Sequence, residues 1–314
     1  MKKVISSGSI AMDIVFECSG LPANDGFSRI FSERMVPGGS SANVMVAAAN
    51  YGMITQQVGK VGDDEMGRRF VQSLAEDKVG SDFMYLKEGG VTMHTYIVTA
   101  PGGQHTILAN FGTCMTDFSR DELPADILHD VDIVYSDMFS ADVSDYLVTE
   151  GARLGKTVVY NMQCVPSLLE TFGTSREIIE RALDTCTLLI GGEAPYLELV
   201  PEELYGDTEA AVKYVVEKYG MADGAIVTLG SKGAVWYDGK TMHSSPAFRV
   251  EDVVDTTGCG DSFLGSLLYA YYEKGMSKVD AMSFANAAAA IKCSIPGPRI
   301  HTCEQEVNDF IKSF

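Results

Sequence analysis

The sequence predicts an α/β protein: a single domain on a mainly parallel central sheet flanked by helices, with a small β lid over the sheet's edge. Three observations carry this reading. Short β-rich runs alternate with helical ones over most of the 314 residues, the pattern of βαβ units. That length is ample for one full hydrophobic core. Two stretches, residues 14–36 and 91–111, break the alternation with extended-looking runs that do not fit between the strands of a parallel sheet.

Val4-Ile5-Ser6-Ser7 is read as the first strand. Residues 14–36 carry Gly20-Leu21-Pro22 and Asn24-Asp25-Gly26 with no helical period, then Phe27, Ile30 and Phe31 in an extended run. Residues 40–51, rich in Ala and Val between Gly39 and Gly52, form the first helix, and residues 63–79, closed by Gly80, the second. Within 91–111 a hairpin is written as Thr95-Tyr96-Ile97-Val98-Thr99, a Pro101-Gly102-Gly103 turn, and His105-Thr106-Ile107-Leu108. Buried-type strands follow at 131–135, 157–160, 187–190 and 225–229. With no internal repeat, low-complexity tract or long linker, residues 1–314 are expected to form one domain, with 14–36 and 91–111 as its lid.

Composition narrows the function. Forty-three acidic against 24 basic side chains give a net charge of −19, and after Lys2-Lys3 no basic cluster is longer than Arg68-Arg69. Binding to nucleic acid or to an anionic membrane needs clustered Lys and Arg, so neither partner is expected. A phosphorylated ligand remains possible, since one pocket can be positive on a negative protein. The seven cysteines are odd in number, scattered and never in a C-x-x-C pair, which suits reduced thiols in the cytoplasm. Five scattered histidines offer no zinc spacing. Asp13 and Glu17 interrupt any signal-peptide core, and no apolar run approaches the roughly 18 residues of a membrane span.

The most informative segment is Asp255-Thr256-Thr257-Gly258-Cys259-Gly260-Asp261-Ser262, which leads straight into the apolar run Phe263-Leu264-Gly265. A Gly-rich turn opening a helix leaves several backbone N–H groups aimed at one point, with the positive end of the helix dipole behind them, and holds an anion. Asp261 beside such a hole suits phosphoryl transfer to a hydroxyl, where a carboxylate takes the acceptor's proton; the competing reading makes Asp261 a helix N-cap only. A second segment, Gly38-Gly39-Ser40-Ser41-Ala42-Asn43, opens the first helix with glycines that let a ligand approach and an amide able to meet sugar hydroxyls. The P-loop, H-R-D and D-F-G motifs are absent from the sequence, so neither a P-loop nor a protein-kinase fold is at hand.

Together these segments resemble the ribokinase-like carbohydrate kinases of the PfkB family. The likeness runs almost end to end: Gly8-Ser9-Ile10-Ala11-Met12-Asp13; Gly38-Gly39 with Asn43; Gly59-Lys60-Val61-Gly62-Asp63-Asp64 with Gly67; Thr228-Leu229-Gly230 with Gly233; residues 255–261; and Phe284-Ala285-Asn286 with the alanines after it. The resemblance implies a ribokinase-like fold, ATP and Mg²⁺ as cofactors, and K⁺ as a further candidate. It makes Asp261 the catalytic base and Gly258, Cys259 and Gly260 the anion hole. Asp13, Gly38, Gly39 and Asn43 match sugar-binding positions. Thr228, Gly230, Gly233 and Asn286 match walls of the nucleotide site, and Asp255 and Thr257 match positions that help hold a monovalent cation.

Three departures stand out. Cys259 replaces the family's usual Ala, without loss of the backbone N–H. The N-x-x-E motif linked to Mg²⁺ through water keeps its acid at Glu193 but has Ile190 in place of Asn, and Asn161 ends a strand without the usual Pro-rich continuation. Ala11 stands where ribokinases carry Asn, the loss of a hydrogen-bonding partner worth roughly 1–3 kcal/mol, which argues against ribose itself. The expected activity is ATP-dependent phosphorylation of a primary hydroxyl on a small, neutral sugar or sugar derivative. The alternatives are a nucleoside kinase of the same fold and a non-catalytic sugar-sensing relative. In ribokinase relatives the lid often pairs with that of a second subunit, so a homodimer through Phe27, Ile30 and Phe31 is expected. His94, Asp137 and Met138, near the expected pocket, are read as packing or surface residues.

Overall fold

The protein was analysed as a computed structural model that describes residues 1–101 and 104–314; the Gly102-Gly103 turn read from the sequence lies outside the described residues. In chain order the elements are β1 (Lys3–Ser7), β2 (Ala11–Cys18), β3 (Ile30–Gly38), α1 (Ser40–Asn50), β4 (Ile54–Gly62), α2 (Glu65–Glu76), β5 (Gly80–Lys87), β6 (His94–Ala100) and β7 (Gln104–Asn110). There follow β8 (Ile133–Ser136), α3 (Ala141–Arg153), β9 (Thr157–Met162), α4 (Pro166–Thr171), α5 (Arg176–Thr185), β10 (Leu188–Gly192), α6 (Glu193–Leu197), α7 (Thr208–Tyr219) and β11 (Gly224–Thr228). The chain ends with β12 (Ala234–Tyr237), β13 (Met242–Ser245), α8 (Cys259–Leu267), α9 (Lys278–Cys293) and α10 (Glu304–Lys312).

Nine strands form the main sheet in the order β13-β12-β11-β10-β9-β8-β1-β4-β5. The seven from β11 to β5 pair in parallel, while β12 and β13 add an antiparallel edge. Side chains on the two faces feed separate cores, as expected of a sheet covered by helices on both sides. One holds Ile133, Tyr135 and Ile226 with residues of α1, α2, α8 and α9; the other holds Ile5, Val134 and Tyr160 with residues of α3, α5 and α7. Helix α1 is buried from Ser41 to Ala49, which explains its near-uniform Ala and Val composition: it has almost no solvent face. Gly265 of α8 presses against Ala47 and the Val44 carbonyl of α1, a separation no larger side chain permits.

The inserted strands form a second sheet of four, in the order β3-β2-β6-β7. It is wider than the 14–36 and 91–111 segments implied, because β2 begins at Ala11 and β3 runs to Gly38. Asp13 and Gly38, motif residues just outside the 14–36 segment, are therefore strand residues of this four-stranded sheet. Ile30, Phe31, Ile107 and Leu108 of this sheet are exposed, as is Phe27 before β3.

Helix α2 starts later than the expected residue 63 because Asp64 caps it, accepting the Gly67 N–H at 2.7 Å. The same carboxylate takes the Thr92 N–H and hydroxyl at 2.9 and 2.7 Å. A Cβ on Gly67 would run into the Gly62 carbonyl, and one on Gly62 into that of Gly90. The 59–67 motif thus serves folding: it locks α2 to the strand before it.

Candidate active site

In a parallel sheet, residues just past the carboxyl ends of the strands gather at one edge, and a cleft forms there. Asp137 follows β8, Asn161 sits near the end of β9 and Thr228 ends β11, while α1 begins beside them, with Gly39 alone separating it from β3 of the four-stranded sheet. Facing them is the N-terminus of α8. Gly258 caps that helix with φ of 76°, a left-handed conformation, and a Cβ there would collide with the Pro298 carbonyl. Among the described residues, the N–H groups of Gly260 and Asp261 donate to no protein acceptor. The Cys259 N–H differs from expectation, since it closes a turn on the Thr256 carbonyl at 3.2 Å. The amides of Gly260 and Asp261 therefore lie open at the positive end of the helix, an arrangement able to hold an anion.

Asp261 is not the cap of its helix. Its carboxylate points across to α1, where Oδ1 accepts the Ser40 hydroxyl at 2.6 Å and Oδ2 accepts Asn43 Nδ2 at 2.8 Å. Burial, together with the nearby charge of Asp13, raises its pKa, while Ser40, Asn43 and Lys292 act the other way. A raised carboxyl is a better proton acceptor than a surface one. Both donors are themselves held. Asn161 Nδ2 reaches the Ser40 hydroxyl at 3.4 Å and the Tyr135 hydroxyl at 2.9 Å. Arg299 Nε points at Asn43 Oδ1 at 3.4 Å, while its Nη1 binds Asp77 at 2.6 Å and Ser73 at 3.1 Å. Asn43, expected to meet sugar hydroxyls, thus has both amide atoms engaged, one with Asp261 and one with Arg299.

Ser40 and Arg299 are the residues the sequence reading missed. Arg299 lies far along the chain in an unremarked Pro298-Arg299 step, and Ser40 looked like a helix start. Arg299 brings a cation to the acceptor motifs from a distant part of the chain. Its charge is met by Asp77, however, in a pair whose side chains are 5% and 15% exposed.

Asp13 lies on β2, buried, with Thr95 of β6 donating to Oδ1 at 2.6 Å. Burial raises its carboxyl, against the opposing Thr95 hydrogen bond and Arg299 charge. Gly38 and Gly39 are needed for a reason other than ligand approach: a Cβ on Gly38 would overlap the Asp13 carboxylate, and one on Gly39 would sit 2.6 Å from Ile10 Cα. Asp137 is fully buried and accepts from Ser9 N at 2.9 Å, Ser9 Oγ at 2.6 Å and Gln163 at 2.8 Å. Its carboxyl, pushed up to about 7 by burial, braces the Gly8-Ser9 turn. His94 and Met138 are buried as well, His94 with Nδ1 against the Thr92 carbonyl at 2.8 Å.

On the other side of the α8 N-terminus is a cavity of about 620 Å³ lined by Thr228, Gly230, Gly233, Phe248, Cys259, Gly260 and Asn286 among others. The four nucleotide-site candidates thus share one chamber, which opens onto the anion hole through Gly260. Asn286 contributes as scaffold, its Nδ2 donating to the Ser245 and Pro246 carbonyls at 3.2 Å each. Cys259 Sγ faces Cys293 Sγ at 3.0 Å, and burial with that neighbour pushes the Cys259 thiol up to about 12, so it stays protonated. Glu193 begins the short helix α6, exposed, accepting the Thr208 hydroxyl at 2.8 Å. Among the described residues no group of three or more His, Cys, Asp or Glu could hold a metal ion. Asp255 accepts the Thr257 N–H at 2.9 Å and the Gly297 N–H at 2.8 Å.

This geometry has counterparts in known proteins. The ATP-dependent ribose-1-phosphate kinase of Halopiger xanaduensis is 27% identical over 307 residues, covering 95% of this chain and 94% of the relative. Fructokinase-1 of Zea mays is 27% identical over 325 residues, covering 98% and 97%. The structure of Arabidopsis thaliana ribokinase complexed with ribose and ATP superposes with a TM-score of 0.83 at 23% identity, covering 99% of each chain. The family model for pfkB family carbohydrate kinases matches residues 1–304. A mainly parallel sheet with a four-stranded companion, a carboxylate at a glycine-capped helix and a nucleotide-sized chamber beside it agree with that match, and the chain belongs to the pfkB family of carbohydrate kinases, ATP-dependent phosphotransferases that act on a hydroxyl group.

Proposed function

We propose that the protein transfers the γ-phosphoryl group of ATP to a primary hydroxyl of a small, neutral sugar or sugar derivative. The observation that carries this is the Asp261 carboxylate, held by Ser40 and Asn43 beside the free amides of its own helix end. The chamber bounded by Thr228, Gly230, Gly233 and Asn286 takes the nucleoside, leaving the phosphates to run toward Gly260. Asp13 accepts a hydrogen bond from the acceptor and orients it. Asp261 takes the hydroxyl proton as the new oxygen–phosphorus bond forms, and the amides of Gly260 and Asp261 stabilise charge on the phosphoryl oxygens.

Mg²⁺ suits this site as a companion of the nucleotide rather than as a resident ion. Magnesium keeps most of its waters and leans on phosphates and one or two carboxylates, so it needs no protein cage, and exposed Glu193 would hold it through water. When bound, Mg²⁺ would neutralise charge between the phosphates. The four-stranded sheet acts as a lid: it carries Asp13 and Thr95, so its closure on the acceptor would exclude water and limit ATP hydrolysis. Its exposed Ile30, Phe31, Ile107 and Leu108 fit a homodimer through this sheet. The free state of all seven cysteines supports a reducing, cytoplasmic setting.

The test is ADP release from Mg-ATP in the presence of a panel of ketoses, aldoses, sugar alcohols, sugar acids and nucleosides. Release dependent on a neutral sugar is the expected result. Release that depends only on nucleosides, or only on anionic sugars, would overturn the acceptor assignment.

A further inference from the structure

The family likeness places a monovalent cation at Asp255 and Thr257, and the structure puts a cation of another kind there. Lys292, in the last turn of α9, is buried with no exposed surface. Its Nζ donates to the Asp255 carbonyl at 3.2 Å and to the Ile295 carbonyl at 3.0 Å. The Asp255 carboxylate meanwhile reaches across the same gap to the Gly297 N–H at 2.8 Å. The 255–257 turn and the 295–297 turn therefore face each other, with one ammonium coordinated by a carbonyl from each.

Backbone carbonyls converging on a dehydrated point are what a bound monovalent cation requires, and a buried ammonium needs the same partners. One charge suits the space; a second cation beside it would be repelled at short range in a poorly screened site. The position is also coupled to the reaction. Val254 and Asp255 donate their N–H groups to the Cys293 carbonyl at 2.8 and 3.2 Å, and Gly258 packs directly against the Pro298 carbonyl. The segment that Lys292 ties down is thus the floor on which the anion hole rests. Its positive charge also opposes the burial that raises Asp261.

We propose that Lys292 is a tethered substitute for the monovalent cation: its ammonium holds the two turns together, so the site has no place for K⁺ and phosphoryl transfer in this chain is independent of it. A free ion occupies such a cage according to its concentration, whereas a side chain is present at every turnover. Lys292 acts through the backbone and is a positioning residue, not a catalytic one. The activity arm of the test rests on the kinase reading above; the nucleotide-binding arm does not.

The experiment titrates KCl, against NaCl as comparator, into protein dialysed into tetramethylammonium chloride at constant ionic strength. It reads the Mg-ATP dissociation constant by calorimetry and turnover with the best acceptor. Wild-type protein should change by less than about twofold in both, whereas Lys292→Ala should lose about tenfold in nucleotide affinity and regain most of it with K⁺ but not with tetramethylammonium. Lys292→Met, which keeps the volume and removes the charge, should be impaired with less rescue. A wild-type enzyme activated about tenfold by K⁺ would overturn the proposal, as would a folded Lys292→Ala indifferent to K⁺. If neither variant folds, the wild-type titration decides alone. Flat Mg-ATP binding in K⁺ without turnover on any acceptor would strike the substrate reading and leave Lys292 in its assigned role.

Discussion

On the proposed reading, the phosphate side and the acceptor side of this site are built by different means. The phosphate side comes from one stretch of chain, residues 255–262, and presents backbone N–H groups at a helix end. The acceptor side is assembled from side chains that the fold brings together from β2, α1, the 295–299 segment and β6. A site made of amides tolerates a change of side chain, which is why Cys259 can stand where the family has Ala. A site made of interlocked side chains does not, because removing one leaves another buried without its partner.

Asp261 joins the two sides, belonging to the amide helix by sequence and to the acceptor network by its hydrogen bonds to Ser40 and Asn43. Asp261→Asn should therefore give the largest effect, a fall in turnover of about 10²–10⁴ with nucleotide affinity nearly unchanged. Stopped-time ADP assays with a calorimetric nucleotide titration would check it. Near-normal turnover in this variant would remove Asp261 as the base and, with it, the meeting point of the two sides.

A pair of glycines sharpens the contrast. A Cβ on Gly38 would overlap the Asp13 carboxylate, whereas one on Gly260 meets nothing within 4 Å. Gly38→Ala should displace Asp13 and raise the acceptor KM by the worth of a lost polar partner, 1–3 kcal/mol or about 5- to 150-fold, leaving the ATP KM alone. Gly260→Ala should fold as well as wild type or gain up to about 1 kcal/mol from helix propensity. Its methyl group would enter the nucleotide chamber, so its kinetic effect should fall on ATP and spare the acceptor. The opposite pattern in steady-state kinetics, Gly38 reading on ATP or Gly260 on the sugar, would break the division.

The same division explains what could be read from sequence. The glycine-capped start of α8 was legible because its residues are consecutive and a glycine turn leads straight into an apolar run. Strands β1 and β8–β11 and helices α1 and α2 were legible from apolar runs between glycines and polar breaks. The limits of the four-stranded sheet were not, because Asp13 and Gly38 read only as motif residues outside the 14–36 segment when they are paired strand positions, Ala11 lying opposite Gly38 and Asp13 opposite Val36. The antiparallel edge passed unread although β12, Ala234-Val235-Trp236-Tyr237 between Gly233 and Asp238, is a buried apolar run; at four residues it is short, and its partner β13, Met242–Ser245, is mostly polar. Ser40, Arg299 and Lys292 gain their meaning only from partners far away in sequence. Of these, Lys292 alone left a local sign: a lysine closing the apolar, alanine-rich run before it, where a surface helix would have shown a polar face.

The smallest effect tests whether the two sides feel each other through charge. Asp13 and Asp261 are both pushed up by burial, and the charge of Asp13 adds to the rise at Asp261. A protonated Asp261 cannot accept the acceptor's proton, so turnover should fall as pH drops through its pKa, and that acid limb should lie above the ordinary carboxylate range. Asp13→Asn removes the neighbouring negative charge and keeps a polar side chain of the same shape. Ionised Asp261 then becomes easier to form, so the acid limb of kcat should move to lower pH even as the acceptor KM rises. An acid limb that stays in place would mean the carboxylates are screened from one another, confining the link between the two sides to the hydrogen bonds of Ser40 and Asn43. A limb that moved to higher pH would show that Asp13 lowers the base's pKa, the reverse of what burial beside a like charge requires.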